Sequence, residues 1–180
     1  MSPNFNSCKK KCAQQSSHPK IGLSFEVKKW KSENKTISKT IEPIKKSKYI
    51  INEQKNLVKN IKDINKNIIE QKFEVVDARS KKRFEGSEPE PRPGLRSGHI
   101  EKSKNLPFTE CINKTSNTFK SKENLIKIFE KTGVDKSKNP TFTCGSGVTA
   151  AVLALTFHLV HDNYLPIIYD GSWSEYGQIK

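Results

Sequence analysis

The chain has no run of about eighteen apolar residues, the length a membrane-crossing helix needs, so no such helix and no membrane partner are expected. Met1 to Lys20 contains no apolar stretch of signal-peptide type, which argues against secretion. Cysteine is sparse: Cys8, Cys12, Cys111 and Cys144. Three lysines separate the first two, no second Cys or His pair completes a zinc pattern, and His18 is a weak ligand alone. No metal and no organic cofactor is therefore expected. Free thiols suit a reducing compartment, so a cytoplasmic location is the expectation. Aromatics are also scarce, at 8%, and the many lysines are scattered among Asn, Ile and Ser, not blocked. That is a poor platform for stacking bases, and no nucleic-acid partner is expected.

What the chain has in excess is positive charge, +14 overall, and it is unevenly spread. Residues 1–70 hold sixteen Lys/Arg against six Asp/Glu, while residues 71–180 hold seventeen against thirteen. A Lys/Asn/Ser/Ile-rich segment with few aromatics struggles to bury enough apolar surface to offset chain entropy. Residues 1–20 therefore read as disordered, 21–56 as a basic linker or arm, and 57–180 as one folded domain, which the length also allows.

Within 57–180, Leu57, Ile61, Ile64 and Ile68 recur at helical spacing, predicting a helix to about Glu70. Phe73 to Val76 reads as a buried strand ending at Asp77-Ala78-Arg79, and Ser80 to Glu85 as a short helix. Residues 86–98 are rich in Gly and Pro and form a loop. His99-Ile100 and Asn105 to Phe108 read as short extended pieces. Ser121 N-caps a helix that carries Leu125, Ile128 and Phe129 on one face and stops at Gly133. A strand at 140–143, a helix over 148–162, a strand at 167–169 and a last helical turn near Trp173 complete the pattern. Alternating strands and helices predict an α/β fold with a central parallel sheet and helices on both faces.

The most informative residues are Cys144-Gly145-Ser146-Gly147-Val148-Thr149. A strand ends in Cys, turns through Gly-rich backbone and enters an apolar helix. That places sulfur over free backbone N–H groups and a helix N-terminus, which favour thiolate over thiol. Cys144 is the candidate nucleophile, Gly145 and Gly147 allow close backbone approach and φ > 0, and the N–H groups of 145–149 form a candidate anion cradle. Ser146 and Thr149 offer hydroxyl donors, although Ser146 is also a candidate helix N-cap.

Further segments carry a resemblance. They are Val75 to Arg79, Arg83-Phe84-Glu85-Gly86, Glu88-Pro89-Glu90-Pro91-Arg92-Pro93-Gly94, Gly98-His99-Ile100, Asn105 to Phe108 and Tyr169 to Gly177. With the cysteine loop, in this order, they resemble the C-terminal catalytic domain of the rhodanese-type sulfurtransferases, and within them the 3-mercaptopyruvate sulfurtransferases. The resemblance implies a rhodanese-like three-layer fold and transfer of a sulfane sulfur from 3-mercaptopyruvate, through a Cys144 persulfide, to a thiol or cyanide. Arg83 and Arg92 match the family arginines that grip the donor, with a surface charge or a salt bridge to Glu88 or Glu90 as their alternative. Ser146 matches a proton-relay serine, and Gly145, Gly147, Val148 and Thr149 match the substrate-binding loop. A thioredoxin-like reductant is an implied partner.

Thiosulfate-using relatives carry Arg-Lys where this chain has Gly145-Ser146, which makes a thiosulfate:cyanide sulfurtransferase the second reading. Related phosphatases need Arg six positions after Cys, where this chain has Ala150. Two-domain members of the family also have an N-terminal rhodanese domain walling the cleft. Residues about 21–60 resemble the stretch that leaves that domain, so a truncated, non-catalytic binding or regulatory module is the reading of a different class. Asp77 and Arg79 are expected to pair internally, His99 to hydrogen-bond within its loop, and Trp173 to pack beside the cysteine loop. His158 and His161 read as surface or helix-end residues, and Cys111 as a weak candidate for a redox partner.

Overall fold

The computed structural model describes residues 29–37, 48 and 50–179. The expectation of disorder over 1–20, the Cys8–Cys12 pair, His18 and most of the basic arm lie outside the described residues.

Seven short strands and five helices follow one another in the domain. Strand β1 is Val58–Lys59 and helix α1 is Ile61–Glu70. The predicted helix began at Leu57, but Asn60 ends the preceding strand and caps α1. Its side chain accepts from the N–H of Lys62 and Asp63, and Asp63 returns a bond to the Asn60 N–H. This reciprocal capping box fixes the start three residues inside the apolar pattern. Strand β2, Val75–Asp77, is buried at every position. Helix α2, Lys81–Glu85, lies between its Ser80 cap and Gly86 at φ 79°.

Strand β3, Lys104–Asn105, is followed by a 3-10 turn at Phe108–Cys111. A small antiparallel pair then forms from β4, Ile112–Asn113, and β5, Thr118–Phe119. Helix α3, Lys122–Thr132, is capped by Ser121 and closed by Gly133 as expected. Strand β6 is Thr141–Thr143, helix α4 Val148–Val160, strand β7 Ile167–Tyr169 and helix α5 Ser172–Tyr176. Helix α4 ends two residues short of prediction because His161 leaves the helical conformation and caps it with its own N–H.

The main sheet has the order β1-β7-β6-β2-β3, and every pairing is parallel. From β2 the chain moves outward to β3, then returns across β2 to lay down β6 and β7 on the other side. The direction of winding therefore reverses between β2 and β6, and the crevice beyond their carboxyl ends is where open α/β sheets bind ligands.

The two faces of the sheet differ. On one, Val76 and Phe142 pack under α3 and α4 in an aromatic core. Phe129 meets Phe157 edge to face at 4.9 Å, and Tyr164 meets Phe157 at 4.8 Å. Such pairs each contribute about 0.5–1.5 kcal/mol beyond their burial. On the other face Val75 and Tyr169 pack with Ile64 of α1 and Trp173 of α5. Helices thus cover both faces, as the alternating pattern requires.

Candidate active site

Cys144 follows β6, the central strand, and is only 2% exposed. Its own backbone is fixed on both sides. The Cys144 N–H donates to Ser172 Oγ at 3.2 Å, and Ser172 Oγ donates to the Tyr169 carbonyl at 2.8 Å. The Cys144 carbonyl accepts from the Trp173 N–H, and the Gly145 carbonyl from the Ser174 N–H, both at 2.9 Å. The start of α5 thus holds the cysteine loop from behind. Ser172 does so with φ 51°, a left-handed conformation that non-glycine residues adopt at a cost.

The Ser146 N–H points at Cys144 Sγ across 3.4 Å. No backbone N–H of Gly145, Gly147, Val148 or Thr149 donates to another described residue. These orphan donors lie at the first turn of α4, where positive potential collects. Gly147 is the N-cap of α4, and no side chain caps that end. The alternative reading of Ser146 as the cap is therefore overturned: its hydroxyl makes no hydrogen bond to a described residue, and the half-buried Thr149 sits in the first turn beside it.

The two glycines are needed for different reasons. Gly147 has φ 83°, and a Cβ there would lie 2.7 Å from Asp170 Oδ1 and 3.1 Å from the Asp170 carbonyl oxygen. Gly145, contrary to expectation, is not in the positive-φ region. Its constraint is its neighbour: a Cβ there would stand 3.0 Å from Arg83 Nη2, close enough that the end of that side chain would have to shift. Arg83, from α2, therefore lies against the loop.

Arg83 is held by Glu90. Its Nε donates to Glu90 Oε1 at 3.2 Å and its Nη2 to Oε2 at 2.5 Å. Glu90 Oε1 also accepts from Arg79 Nη1 at 2.7 Å. Arg79 in turn grips Asp77 through Nε and Nη2 and donates to the Gly98 carbonyl at 2.8 Å. The Arg79 guanidinium stacks over the Trp173 ring at 4.4 Å, so the expected internal pairing of Asp77 with Arg79 and the packing role of Trp173 both hold. The result is a chain Asp77–Arg79–Glu90–Arg83, buried except at its last member.

Arg92 lies two residues past Glu90 in the same loop, half-buried, with no hydrogen bond or ion pair to a described residue. No hydrogen bond or ion pair joins it to the cysteine loop among the described residues. His99 donates its Nδ1–H to the Phe84 carbonyl at 2.8 Å and stacks on the Phe84 ring, a loop-bracing role as expected. His158 and His161 sit at the far end of α4, His158 against the Tyr164 carbonyl and His161 against the Phe157 ring. Burial, with Lys136 and Lys122 nearby, holds the His161 pKa below its ordinary value. Cys111 is fully buried, and burial pushes its thiol up to about 12, which removes it as a redox candidate at neutral pH. Among the described residues no group of His, Cys, Asp and Glu could hold a metal ion, and no helix is long and apolar enough to cross a membrane.

Sequence reasoning treated Glu90 only as a possible partner for either arginine and missed Ser172. Glu90 lies between Pro89 and Pro91, whose fixed φ angles stiffen the loop around it, and that flanking was the available signal. Nothing local marked Ser172, because its role depends on β7 lying next to β6.

Residues 60–178 match the rhodanese-like domain family. The 3-mercaptopyruvate sulfurtransferase of Rattus norvegicus is 40% identical over 147 residues, 82% of this chain and 49% of that protein. A mitochondrial thiosulfate/3-mercaptopyruvate sulfurtransferase of Arabidopsis thaliana is 41% identical over 123 residues, 68% of this chain and 32% of that protein. Among solved structures, SseA of Escherichia coli, described as a 3-mercaptopyruvate sulfotransferase, superposes with a TM-score of 0.66 at 29% identity, over 81% of this chain and 53% of SseA. The chain thus spans about half the length of the rat relative and about a third of the plant one. With the cysteine loop at the switch point of an all-parallel sheet, these matches establish that the chain belongs to the rhodanese-like domain family.

Proposed function

We propose that this domain is a sulfurtransferase that accepts a sulfane sulfur on Cys144, with 3-mercaptopyruvate as the preferred donor. The observation that carries the reading is the loop itself: an N–H on Sγ at 3.4 Å and further unpartnered N–H groups at the start of α4. The Cys144 thiolate attacks the donor sulfur, and the C–S bond breaks. Its electron pair goes to the three-carbon fragment, which leaves as the enolate of pyruvate. Cys144 now carries the sulfur as a persulfide, stabilised by the loop N–H groups. The Ser146 hydroxyl, free of any capping duty, serves the proton that converts enolate to pyruvate. Arg83 and Arg92 orient the donor carboxylate and keto oxygen, tasks suited to planar guanidinium forks. In the second half a thiolate or cyanide attacks the outer sulfur, the S–S bond breaks, and Cys144 returns as thiolate.

The donor preference rests on Gly145-Ser146, where thiosulfate users carry charged side chains, and on the name of the rat relative. Thiosulfate as donor is the second reading, favoured by the double name of the Arabidopsis relative. The acceptor proposed is a thiol, including that of a thioredoxin-like reductant, and the location proposed is the cytoplasm. The test is sulfur transfer to cyanide from each donor, with Cys144→Ser as control. Turnover with 3-mercaptopyruvate that vanishes in the variant is expected. Equal or faster turnover with thiosulfate would replace the donor assignment. No turnover from folded protein would overturn the enzyme reading in favour of a binding module.

A further inference from the structure

Three successive peptide units at the cysteine are fixed from outside the loop. The Thr143 carbonyl accepts from the Ala78 N–H, just after β2, at 2.8 Å, and the Cys144 N–H donates the other way, to Ser172 Oγ at 3.2 Å. The Cys144 carbonyl accepts from the Trp173 N–H and the Gly145 carbonyl from the Ser174 N–H. A trans peptide is planar, with its C=O and N–H on opposite sides, and no peptide bond of the described residues is cis. Turning the Cys144 and Gly145 carbonyls toward α5 therefore turns the Gly145 and Ser146 N–H groups away from it. The Ser146 N–H meets Cys144 Sγ in this way. The donors around the sulfur are aimed through their carbonyls, and α5 holds the carbonyls.

Within this α5 bracket, Ser172 acts through its side chain and the other two residues through their main chain. It is fully buried, and its hydroxyl donates to the Tyr169 carbonyl at 2.8 Å while accepting from the Cys144 N–H, so it ties the end of β7 to the end of β6. It does so at φ 51°, where a side chain is strained and glycine is free. A residue kept in a costly conformation that a smaller one would relax points to a use for its side chain. Both hydrogen bonds of this hydroxyl go to main chain, and one of them is that of the candidate nucleophile.

We infer that Ser172 is a positioning residue for Cys144: its hydroxyl, held on strained backbone, fixes the start of the loop so that the N–H groups after the cysteine face the sulfur. The inference rests on the sulfur-transfer reading for its effect on turnover, but the reactivity of the thiol tests it without a sulfur donor. In full-length protein, alkylation of Cys144 by iodoacetamide is followed against pH, by mass spectrometry of the peptide that carries it, in the parent, Ser172→Gly and Ser172→Ala. Glycine loses the hydroxyl but relieves the strain, so Ser172→Gly melts within about 4 °C of the parent. Its alkylation midpoint moves up by about one pH unit, the scale of one weakened hydrogen bond to an anion. Ser172→Ala shows the same rise with a lower Tm, because alanine keeps the strain. Both variants leave the charged groups around the loop in place: Arg83 against Gly145, Asp170 against Gly147, the buried Asp77, Arg79 and Glu90, and Glu175 on the Tyr169 hydroxyl. A rise in midpoint therefore reports the main chain. With 3-mercaptopyruvate, kcat falls about tenfold and KM stays within about twofold, since no hydrogen bond joins Arg83 or Arg92 to Ser172 among the described residues.

A serine that served the fold alone would lower Tm and leave the midpoint where it is. A folded Ser172→Gly protein with an unchanged midpoint therefore overturns the inference. If only one variant folds, its midpoint decides, and if neither folds the serine serves the fold and the inference is overturned. Turnover of the parent is scored separately. Sulfur transfer by the parent with unchanged midpoints in the variants removes the role of Ser172 alone. Raised midpoints without turnover of the parent remove the enzyme reading alone.

Discussion

Cys111 and Cys144 belong to the same apolar cluster and are almost equally inaccessible, 0% and 2% exposed. By burial alone they are the same residue. Their backbones make them different. Cys111 closes a 3-10 turn whose carbonyl accepts from the Lys120 N–H, and its sulfur faces packed side chains, so burial raises its pKa with Glu110 reinforcing and Lys120 opposing. Cys144 follows the central strand, so its sulfur meets the Ser146 N–H, and the neighbouring N–H groups of the loop have no acceptor among the described residues. On the proposed function, reactivity is set by what the main chain offers the sulfur, not by how deep the sulfur lies.

The largest expected effect breaks the comparison at its root. Cys144→Ser abolishes sulfur transfer from 3-mercaptopyruvate, because a serine hydroxyl cannot accept a sulfane sulfur. Cys111→Ala leaves kcat/KM within about twofold, since among the described residues no hydrogen bond joins that thiol to the cysteine loop, while costing stability of the order of 1 kcal/mol for the small cavity. An activity loss in Cys111→Ala at unchanged stability would show that the two thiols are coupled after all. Steady-state assays with thermal melts of both variants decide it.

Next come the glycines, which test what keeps the main chain open around Cys144. Gly145→Ala places a methyl 3.0 Å from Arg83 Nη2 and forces the guanidinium aside. Its expected effect is about a tenfold fall in kcat/KM, the scale of one mispositioned donor, with little change in Tm. Gly147→Ala is the opposite case. Its φ of 83° and the Asp170 backbone oxygen at 3.1 Å penalise the folded state itself, by about 1–3 kcal/mol. Urea unfolding and donor kinetics on the pair should separate a positioning role at 145 from a folding role at 147. A large stability loss at Gly145→Ala would overturn that division.

Much of this was legible in the chain. The apolar spacing of Ile61, Ile64 and Ile68, the Ser121 cap and the Gly133 stop are local signals, and the elements lie there to within a few residues. The cysteine loop was legible because a strand-ending Cys followed by Gly-Ser-Gly leaves few conformations open. The β4–β5 pair was not read, since two-residue strands carry no periodicity. Nor could any local pattern order the sheet β1-β7-β6-β2-β3, which is what brings Ser172 to the Cys144 N–H and α2 to Gly145. Glu90 shows the same limit. Its identity and its two flanking prolines are in the sequence, but its bridging of Arg79 and Arg83 exists only once β2, α2 and the long loop have folded together.

The smallest expected effect isolates Cys111 through its proton. A solvated thiol ionises near 9.0, whereas in the fold Cys111 holds its proton to about 12. Below pH 9 the thiol is protonated in both states and its contribution to stability is fully present. Above pH 9 the unfolded chain loses the proton while the folded chain keeps it, so that contribution falls as pH rises toward 12. The slope approaches about 1.4 kcal/mol per pH unit within that window. Lysines and tyrosines also titrate there, so the measurement is a difference: urea unfolding of the parent and of Cys111→Ala across the window, where the parent should lose stability more steeply. Identical slopes would mean that the thiolate is tolerated inside the core, and the contrast between the two cysteines would then rest on geometry at Cys144 alone.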